Sequence, residues 1–266
     1  MAEKRGHSVD EIYRVLADRI INGVYLPGRK LSQSELANEL DVSRTPLREA
    51  LNRLQESGLA VAATNRGMEV SPVTFEETEQ WYVMRVLIEP PIVAAIAGEL
   101  TNGDLKKMAD ALRRMQDSAH RTKDFQDAHH AFHDVALIHY PEYIREMIET
   151  IYVKITRHQR TYFSRPRAPD EFCDTDRLLL EALVEQDGEL AKHILEFHLL
   201  DAALGLLLDA DPDYVPKALR LAAQGLGIHF ACNEKGVPDR PAKLSWVGGA
   251  VDNLPPMKTS NVYYER

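Results

Sequence analysis

The chain has 266 residues, of which 44% are hydrophobic and 27% charged, and its formal net charge is −9. A chain of this length forms one large domain or two of ordinary size, and this composition supplies a hydrophobic core. No apolar run approaches the roughly 18 residues of a transmembrane helix, and the first residues lack the apolar segment of a secretory signal. Two cysteines, Cys173 and Cys232, are too few for a disulfide framework. We therefore expect a soluble, cytoplasmic protein with no membrane partner.

Charge is unevenly distributed along the chain. Residues 1–74 carry ten basic and ten acidic side chains, so the negative net charge belongs to the remaining residues. Within the first segment, basic residues outnumber acidic ones over 43–66. A locally basic segment on an acidic body is typical of a protein whose smaller part binds a polyanion. A solvated helix face would have the same charges, so composition alone leaves both interpretations open.

The first segment has the pattern of three short helices. Apolar residues at helical spacing predict a helix over 9–22. Ser32 and Glu35 predict a capping box that opens a second, short helix. Ser43 is predicted to cap a third helix, which ends at Gly58. Together these elements predict a helix-turn-helix at about 33–57.

Alternating apolar residues over 59–71 predict a short hairpin after the third helix. Three helices followed by a hairpin are typical of a winged helix-turn-helix, in which the hairpin is the wing. Arg44 and Arg48 lie one turn apart on the third helix, away from its apolar stripe. A recognition helix presents side chains to the major groove from this position. Any small α+β unit has similar elements, so geometry alone does not decide between a DNA-binding winged helix-turn-helix and another small α+β unit.

The stretch LSQSELANELDVSRTPLREALNRLQESGL, followed by NRGMEV, resembles the GntR family of bacterial transcription regulators. The resemblance runs without a gap over about 10–74, and SRTPLREAL is its most recognisable part. Ser34 stands where some members have an additional arginine that contacts DNA. The resemblance implies a DNA-binding domain over 1–74, in which recognition helix and wing supply five DNA-contacting residues: Arg44, Thr45, Arg48, Arg66 and Gly67.

Residues 75–209 have helical periodicity and no alternating strand pattern, which predicts an all-α bundle. Pro90 and Pro91 cannot donate backbone hydrogen bonds, so we expect them to interrupt or kink the first helix of the bundle. The predicted helices cover 75–89, 92–100, 104–121, 124–139, 141–163, 171–186 and 188–209. The protein is therefore predicted to be mainly α, with a winged helix-turn-helix and a helical bundle.

Eight of the ten histidines lie between residues 120 and 198. His129 and His133 project from one face of a helix, and two neutral imidazoles at this spacing can chelate a transition metal. Surface or hydrogen-bonded core histidines produce the same spacing, so the pair alone leaves ligation open. Four other histidines are interpreted as structural or exposed: His120, His139, His158 and His193.

The predicted bundle also resembles the ligand-binding domain of FadR-type GntR regulators, called FCD. The resemblance covers about 75–208. The residues that match the FCD pattern are Arg85, Glu89, Phe132, His133, Glu181, Ala182, Leu183, Asp187, His198 and Leu199.

Many FCD domains bind a divalent metal through one aspartate and three histidines. Here His129 occupies the usual aspartate position and Asp176 occupies a usual histidine position. We hypothesise that the two ligand types have exchanged helices and that His129, His133, Asp176 and His198 keep the site. The competing interpretation is that two departures mean the site is lost. Zinc is the expected metal, with nickel or manganese as alternatives.

The FCD resemblance also implies a small carboxylic acid as effector, bound at the metal. Arg85 resembles an inward-facing arginine of the family and is the candidate for a second contact with the acid. A structural ion pair between Arg85 and Glu89, one turn later, is the alternative interpretation.

Residues 210–266 form a C-terminal extension beyond the resemblance, with six of the chain's 14 prolines. One further helix over 215–226 and short strands near 244–247 are predicted. Trp246, Tyr263 and Tyr264 indicate that the extension packs on its own bundle or on a partner subunit, and disorder is the alternative. The sequence assigns it no role.

These observations predict a homodimeric transcription regulator, not an enzyme, that binds an inverted-repeat operator. Release of DNA on effector binding, which gives repression, is the commoner outcome in the family. A metal-dependent enzyme using the histidine-rich bundle is one alternative, but no Glu-x-x-His occurs and His130 stands where a zincin helix has its general-base glutamate. An effector-free dimeric DNA-binding protein is the other.

Overall fold

The computed structural model describes residues 8–63, 67–119, 122–162, 170–247 and 254–264. Within these ranges the chain forms ten helices and six short strands, which confirms the prediction of a mainly α protein. The chain divides into two compact units. The first comprises the residues up to Thr74 together with Tyr152–Tyr162, and the remaining residues form the second.

The N-terminal part of the first unit has the element order of a winged helix-turn-helix. Strands β1 and β2 pair antiparallel, with Ala60 opposite Val70 and Ala63 opposite Gly67. The three helices bury a shared apolar core that includes Leu16, Leu47 and Leu51. The elements are α1 (Val9–Ile21), α2 (Gln33–Glu39), α3 (Arg44–Glu56), β1 (Ala60–Ala63) and β2 (Gly67–Val70).

The start of α3 differs from the expectation. Ser43 is the residue before the helix, but its side chain makes no capping hydrogen bond. A capping side chain accepts from the backbone N–H of the second or third helical residue. The third residue here is Pro46, which has no N–H to donate. The expected side-chain cap is therefore wrong. By contrast, the Ser32 side chain does accept from the backbone N–H of Glu35, at 3.5 Å.

The described residues between Phe75 and Ala210 are mainly helical, as predicted. The proline expectation was wrong in part, because α4 is one continuous helix that contains both Pro90 and Pro91. Each proline removes one donor from the helix ladder, but α4 packs along α9 with Glu89 and Pro90 buried, and this packing stabilises the helix. The helices are α4 (Phe75–Ile96), α5 (Asn102–Asp117), α6 (Thr122–Leu137), α7 (Glu142–Tyr162), α8 (Asp170–Val184) and α9 (Gly188–Ala210).

Helix α9 is buried over most of its length. Every residue from His193 to Asp201 is buried. Its first residue, Gly188, lies so close to α4 that an added Cβ would be 2.4 Å from the carbonyl oxygen of Ala94. The absence of a side chain at Gly188 therefore sets how closely α9 approaches α4.

Replacing Gly188 with alanine is expected to lower the free energy of unfolding by about 1–3 kcal/mol, because the new Cβ would overlap with a backbone carbonyl and force the helices apart. Gly98→Ala is the matched control, since no atom lies within 4 Å of the position where its Cβ would stand. Urea titration of both variants measures the difference. Equal stability of the two variants would contradict this packing argument.

The described part of the C-terminal extension is folded, so the alternative of disorder is wrong for 210–247 and 254–264. Its strands form a sheet in the order β3-β4-β6-β5, in which only β4 and β6 are parallel. Trp246 donates to a carboxylate oxygen of Glu196 on α9, at 2.8 Å, so the extension packs on its own bundle. Its elements are α10 (Lys217–Gly225), β3 (Ile228–Phe230), β4 (Ala242–Trp246), β5 (Met257–Lys258) and β6 (Val262–Tyr264).

Candidate metal centre and DNA-binding surface

The second unit brings the four predicted metal ligands together. His129 and His133 come from α6, Asp176 from α8 and His198 from α9. One ligand atom of each residue lies within 4.8 Å of the ligand atoms of all the others. Three separate helices therefore direct one carboxylate and three imidazoles at a single point.

The spacing of the imidazole nitrogens suits one metal ion. The Nε2 atom of His129 lies 3.0 Å from Nε2 of His133 and 3.3 Å from Nε2 of His198. Two nitrogens that each lie about 2.1 Å from one ion are about 3.0 Å apart at a right angle and about 3.4 Å apart at the tetrahedral angle. The three rings are thus separated as ligands of a common ion would be.

The surroundings of the Asp176 carboxylate indicate whether a cation fits between the four side chains. Its side chain is fully buried, with one carboxylate oxygen 3.3 Å from Nε2 of His133 and the other 3.6 Å from Nε2 of His129. Neither oxygen accepts a hydrogen bond from any residue that the structure describes. A buried carboxylate without donors is costly, and a bound cation would remove that cost. The donor set therefore fits a divalent metal.

The pKa values of the three histidines favour the protonation state that a metal requires, whereas burial works against the charged form of Asp176, which a bound cation would stabilise. Burial raises the pKa of Asp176 to about 6. Burial also lowers the pKa of His133 to about 3, that of His198 to about 4 and that of His129 well below its ordinary value. The imidazoles are consequently neutral at neutral pH, and neutral imidazole is the form that binds a metal.

Arg85 lies on α4 and is buried. Its Nε atom donates to a carboxylate oxygen of Glu89 at 2.5 Å. Its positive charge contributes to the lowered pKa values of His133 and His198, which places it near the cluster. The ion pair considered as an alternative is thus present, and contact with an effector stays a prediction.

The predicted DNA contacts on the recognition helix are exposed. Arg44, Thr45 and Arg48 lie in the first half of α3, opposite the buried Leu47 and its apolar stripe. Neither arginine forms an ion pair with another described residue. These side chains are therefore available to a polyanion.

Another exposed arginine of α3 behaves differently. Arg53 pairs with Asp10 of α1, and its guanidinium lies 4.7 Å from the centre of the Tyr13 ring. It braces α3 against α1, while Arg44 and Arg48 do not. The two kinds of arginine on one helix provide a control for experiments on DNA binding.

In the wing, Gly67 begins β2 and is exposed, with no atom within 4 Å of the position where a Cβ would stand. The protein's own packing therefore does not require a glycine at this position. The other predicted wing contact, Arg66, lies outside the described residues, as does His120.

The structure also shows buried polar residues whose partners the sequence did not predict. His193 pairs with Glu196 at 2.8 Å, both buried. Asp201 is 1% exposed and accepts a hydrogen bond from Thr259 at 2.5 Å. Acidic residues inside the apolar sequence of α9 were the available signal, but Trp246 and Thr259, which donate to Glu196 and Asp201, lie in the extension, at least 50 residues later in the chain.

The fold agrees with comparisons to known proteins. Residues 8–70 match the family model described as bacterial regulatory proteins of the gntR family, and residues 80–201 match the FCD domain model. Together the two models cover more than half of the chain. The chain belongs to the GntR family. Like its relatives, this GntR protein is a transcriptional regulator with a helix-turn-helix and an FCD domain.

Relatives and solved structures support this membership. This GntR regulator is 27% identical over 240 residues to the Exu regulon transcriptional regulator of Escherichia coli K12, covering 81% of this chain and 91% of the relative. It is 24% identical over 192 residues to the transcriptional repressor RspR of the same organism, covering 71% and 84%. Its fold is similar to that of a GntR regulator from Rhodococcus sp. RHA1, with a TM-score of 0.65 and 25% identity, covering 75% of this chain and 97% of that one. In the described ranges of the chain, no helix combines the length and the apolar character that crossing a membrane requires.

Proposed function

We propose that this GntR regulator binds its operator as a homodimer and that a small carboxylic acid, bound at a divalent metal in the FCD domain, controls the binding. The DNA-binding domain would comprise residues 1–74 and the effector domain residues 75–209. The observation that carries the proposal is the buried cluster around Asp176, whose carboxylate has no hydrogen-bond donor among the described residues.

Four residues would hold the metal: His129, His133, Asp176 and His198. When bound, the ion supplies a fixed positive charge and open coordination positions for a carboxylate. Zinc is the first expectation, with nickel or manganese as alternatives, because imidazole with one carboxylate suits all three. Compared with the usual FCD pattern, the aspartate and one histidine have exchanged helices. The close convergence of the four ligand atoms supports retention of the site over its loss.

Arg85 would make the second contact with the acid. Its guanidinium is buried and near the histidines, and a planar fork of donors matches a carboxylate. Glu89 already accepts from its Nε atom, which fixes the orientation of the guanidinium. The ion pair and the effector contact are therefore compatible, because the pair holds Arg85 in place for the ligand.

On the DNA side, Arg44, Thr45 and Arg48 would enter the major groove, with Gly67 and Arg66 of the wing near the backbone or the minor groove. Two copies would place two recognition helices on the half-sites of an inverted repeat. One relative is described as a repressor. We propose that this regulator is also a repressor and that it releases DNA when the acid binds.

Thermal-shift measurements with a panel of mono-, di- and hydroxycarboxylic acids, with and without a chelator, test this function. An acid at 100 times its Kd adds about 2.7 kcal/mol to the free energy of unfolding. We expect one class of acid to raise the Tm only in the metal-loaded protein, and to weaken operator binding measured by fluorescence anisotropy.

Two outcomes would contradict the proposal. If an acid raises the Tm equally with and without the chelator, the acid does not bind at the metal. If no acid stabilises the metal-loaded protein while the operator is still bound specifically, the protein is an effector-free DNA-binding dimer.

A further inference from the structure

The C-terminal extension supplies hydrogen-bond donors to carboxylates of the helical bundle. One of these carboxylates lies on α4 and three lie on α9. In every case the acceptor belongs to the bundle and the donor to the extension. The pairs are Glu79 with Tyr214, Glu196 with Trp246, Asp201 with Thr259, and Asp209 with Arg240. Loss of the extension would remove hydrogen-bond donors from three buried carboxylates, those of Glu79, Glu196 and Asp201, which is costly, so the extension is an integral part of the domain.

Two of these pairs flank His198. Glu196 precedes His198 by two residues and Asp201 follows it by three, and both acids are at most 2% exposed. Trp246 donates to Glu196 at 2.8 Å and Thr259 donates to Asp201 at 2.5 Å. The helix rises only about 7.5 Å over these five residues. The extension therefore holds α9 on both sides of His198 within about one and a half turns.

The extension also approaches the backbone of α9 closely. A Cβ added at Gly205 would lie 2.5 Å from Nδ2 of Asn261. The same amide nitrogen donates to Asp201 at 3.1 Å. Asn261 thus lies directly against the helix, one turn beyond Asp201, where a larger residue than glycine would displace it.

We propose that the C-terminal extension positions His198 in the metal centre, with Thr259 and Trp246 as positioning residues that act through Asp201 and Glu196. Metal–ligand distances tolerate deviations of about 0.2 Å, whereas a shift of one residue along a helix moves a side chain by about 1.5 Å. Holding α9 at both acids keeps the imidazole within reach of the other three ligands. This inference rests on the proposed metal site and gives the extension a role in it.

Cobalt binding by the full-length protein tests the proposal. Cobalt is a spectroscopic probe, and its affinity is measured by competition with a chromogenic chelator. Thr259→Val and Trp246→Phe remove one donor each and are expected to weaken cobalt binding roughly 10-fold, at the low end of the effect of outer-shell changes. They are also expected to change the visible absorption of bound cobalt. Thr259→Ser keeps the hydroxyl, so this variant is expected to have the cobalt affinity and the visible absorption of the wild type.

Tyr214→Phe is the matched control, since it removes a donor from the same extension but acts on Glu79 of α4. We expect it to lower the Tm of the metal-free protein while cobalt affinity and spectrum stay those of the wild type. If Thr259→Val and Trp246→Phe also lower only the Tm, the extension is a structural support and the positioning role is wrong. A wild-type protein that binds no cobalt would instead contradict the metal site itself, and the positioning role with it.

Discussion

Replacing Arg48 with alanine is expected to reduce the preference of this GntR regulator for its operator over a scrambled duplex. The side chain is exposed on the recognition helix and forms no ion pair with the described residues, so its loss removes a DNA contact without unfolding the domain. The expected cost is about 1–3 kcal/mol at one base pair of each half-site. Fluorescence anisotropy with both duplexes at one fixed salt concentration measures it, since affinity for DNA depends strongly on salt.

Arg53→Ala is the control for this experiment. It removes the same charge from the same helix, but Arg53 is engaged with Asp10 and stacks on Tyr13. We expect Arg53→Ala to lower stability slightly and to leave the operator preference intact. An Arg48→Ala protein with undiminished preference, or an equal loss of preference in both variants, would refute the assignment of Arg48.

Replacing Asp176 with alanine is expected to abolish stoichiometric metal binding, with a loss of affinity larger than the roughly 10–100-fold typical of outer-shell changes. The metal-free variant should be at least as stable as the metal-free wild type, because the substitution removes a buried carboxylate that has no hydrogen-bond donor among the described residues. Elemental analysis after dialysis measures the first effect, and urea unfolding in the presence of a chelator measures the second.

The matched control is Asp174→Ala, two residues earlier on the same helix. Asp174 is exposed and forms an ion pair with Arg177, at 3.7 Å. Full metal occupancy is expected in this variant. Full occupancy in Asp176→Ala would show that Asp176 is not a ligand and would favour the interpretation that the exchange of ligand types destroyed the site.

The helices and the winged motif were predictable because their signals are local. Apolar spacing, turn residues and caps act within a few residues of each other, so α1, α3 and the long helices of the bundle appear close to the predicted positions. The failures have physical causes. At Ser43 the proline three residues later removes one of the two backbone donors that a cap can use, and at Pro90 and Pro91 packing of α4 on α9 outweighs two lost donors.

The residues of the candidate metal centre could be selected from the sequence, but only with the help of the family resemblance. Spacing alone supports His129 and His133, which share a helix. Asp176 and His198 lie tens of residues away, and nothing local connects them to the pair. The structure brings the four ligand atoms within 4.8 Å of one another.

The element types, the order of the two recognisable domains and the exposed arginines of the recognition helix could all be inferred from the amino-acid sequence, because each depends on contacts or periodicity over a short stretch of chain. Only the packed fold established that Asp176 is buried without a hydrogen-bond donor among the described residues and that the extension supplies donors to Glu196 and Asp201. Burial and hydrogen-bond partnership are properties of a packed neighbourhood, and in this protein the neighbourhoods join segments that are far apart in the chain.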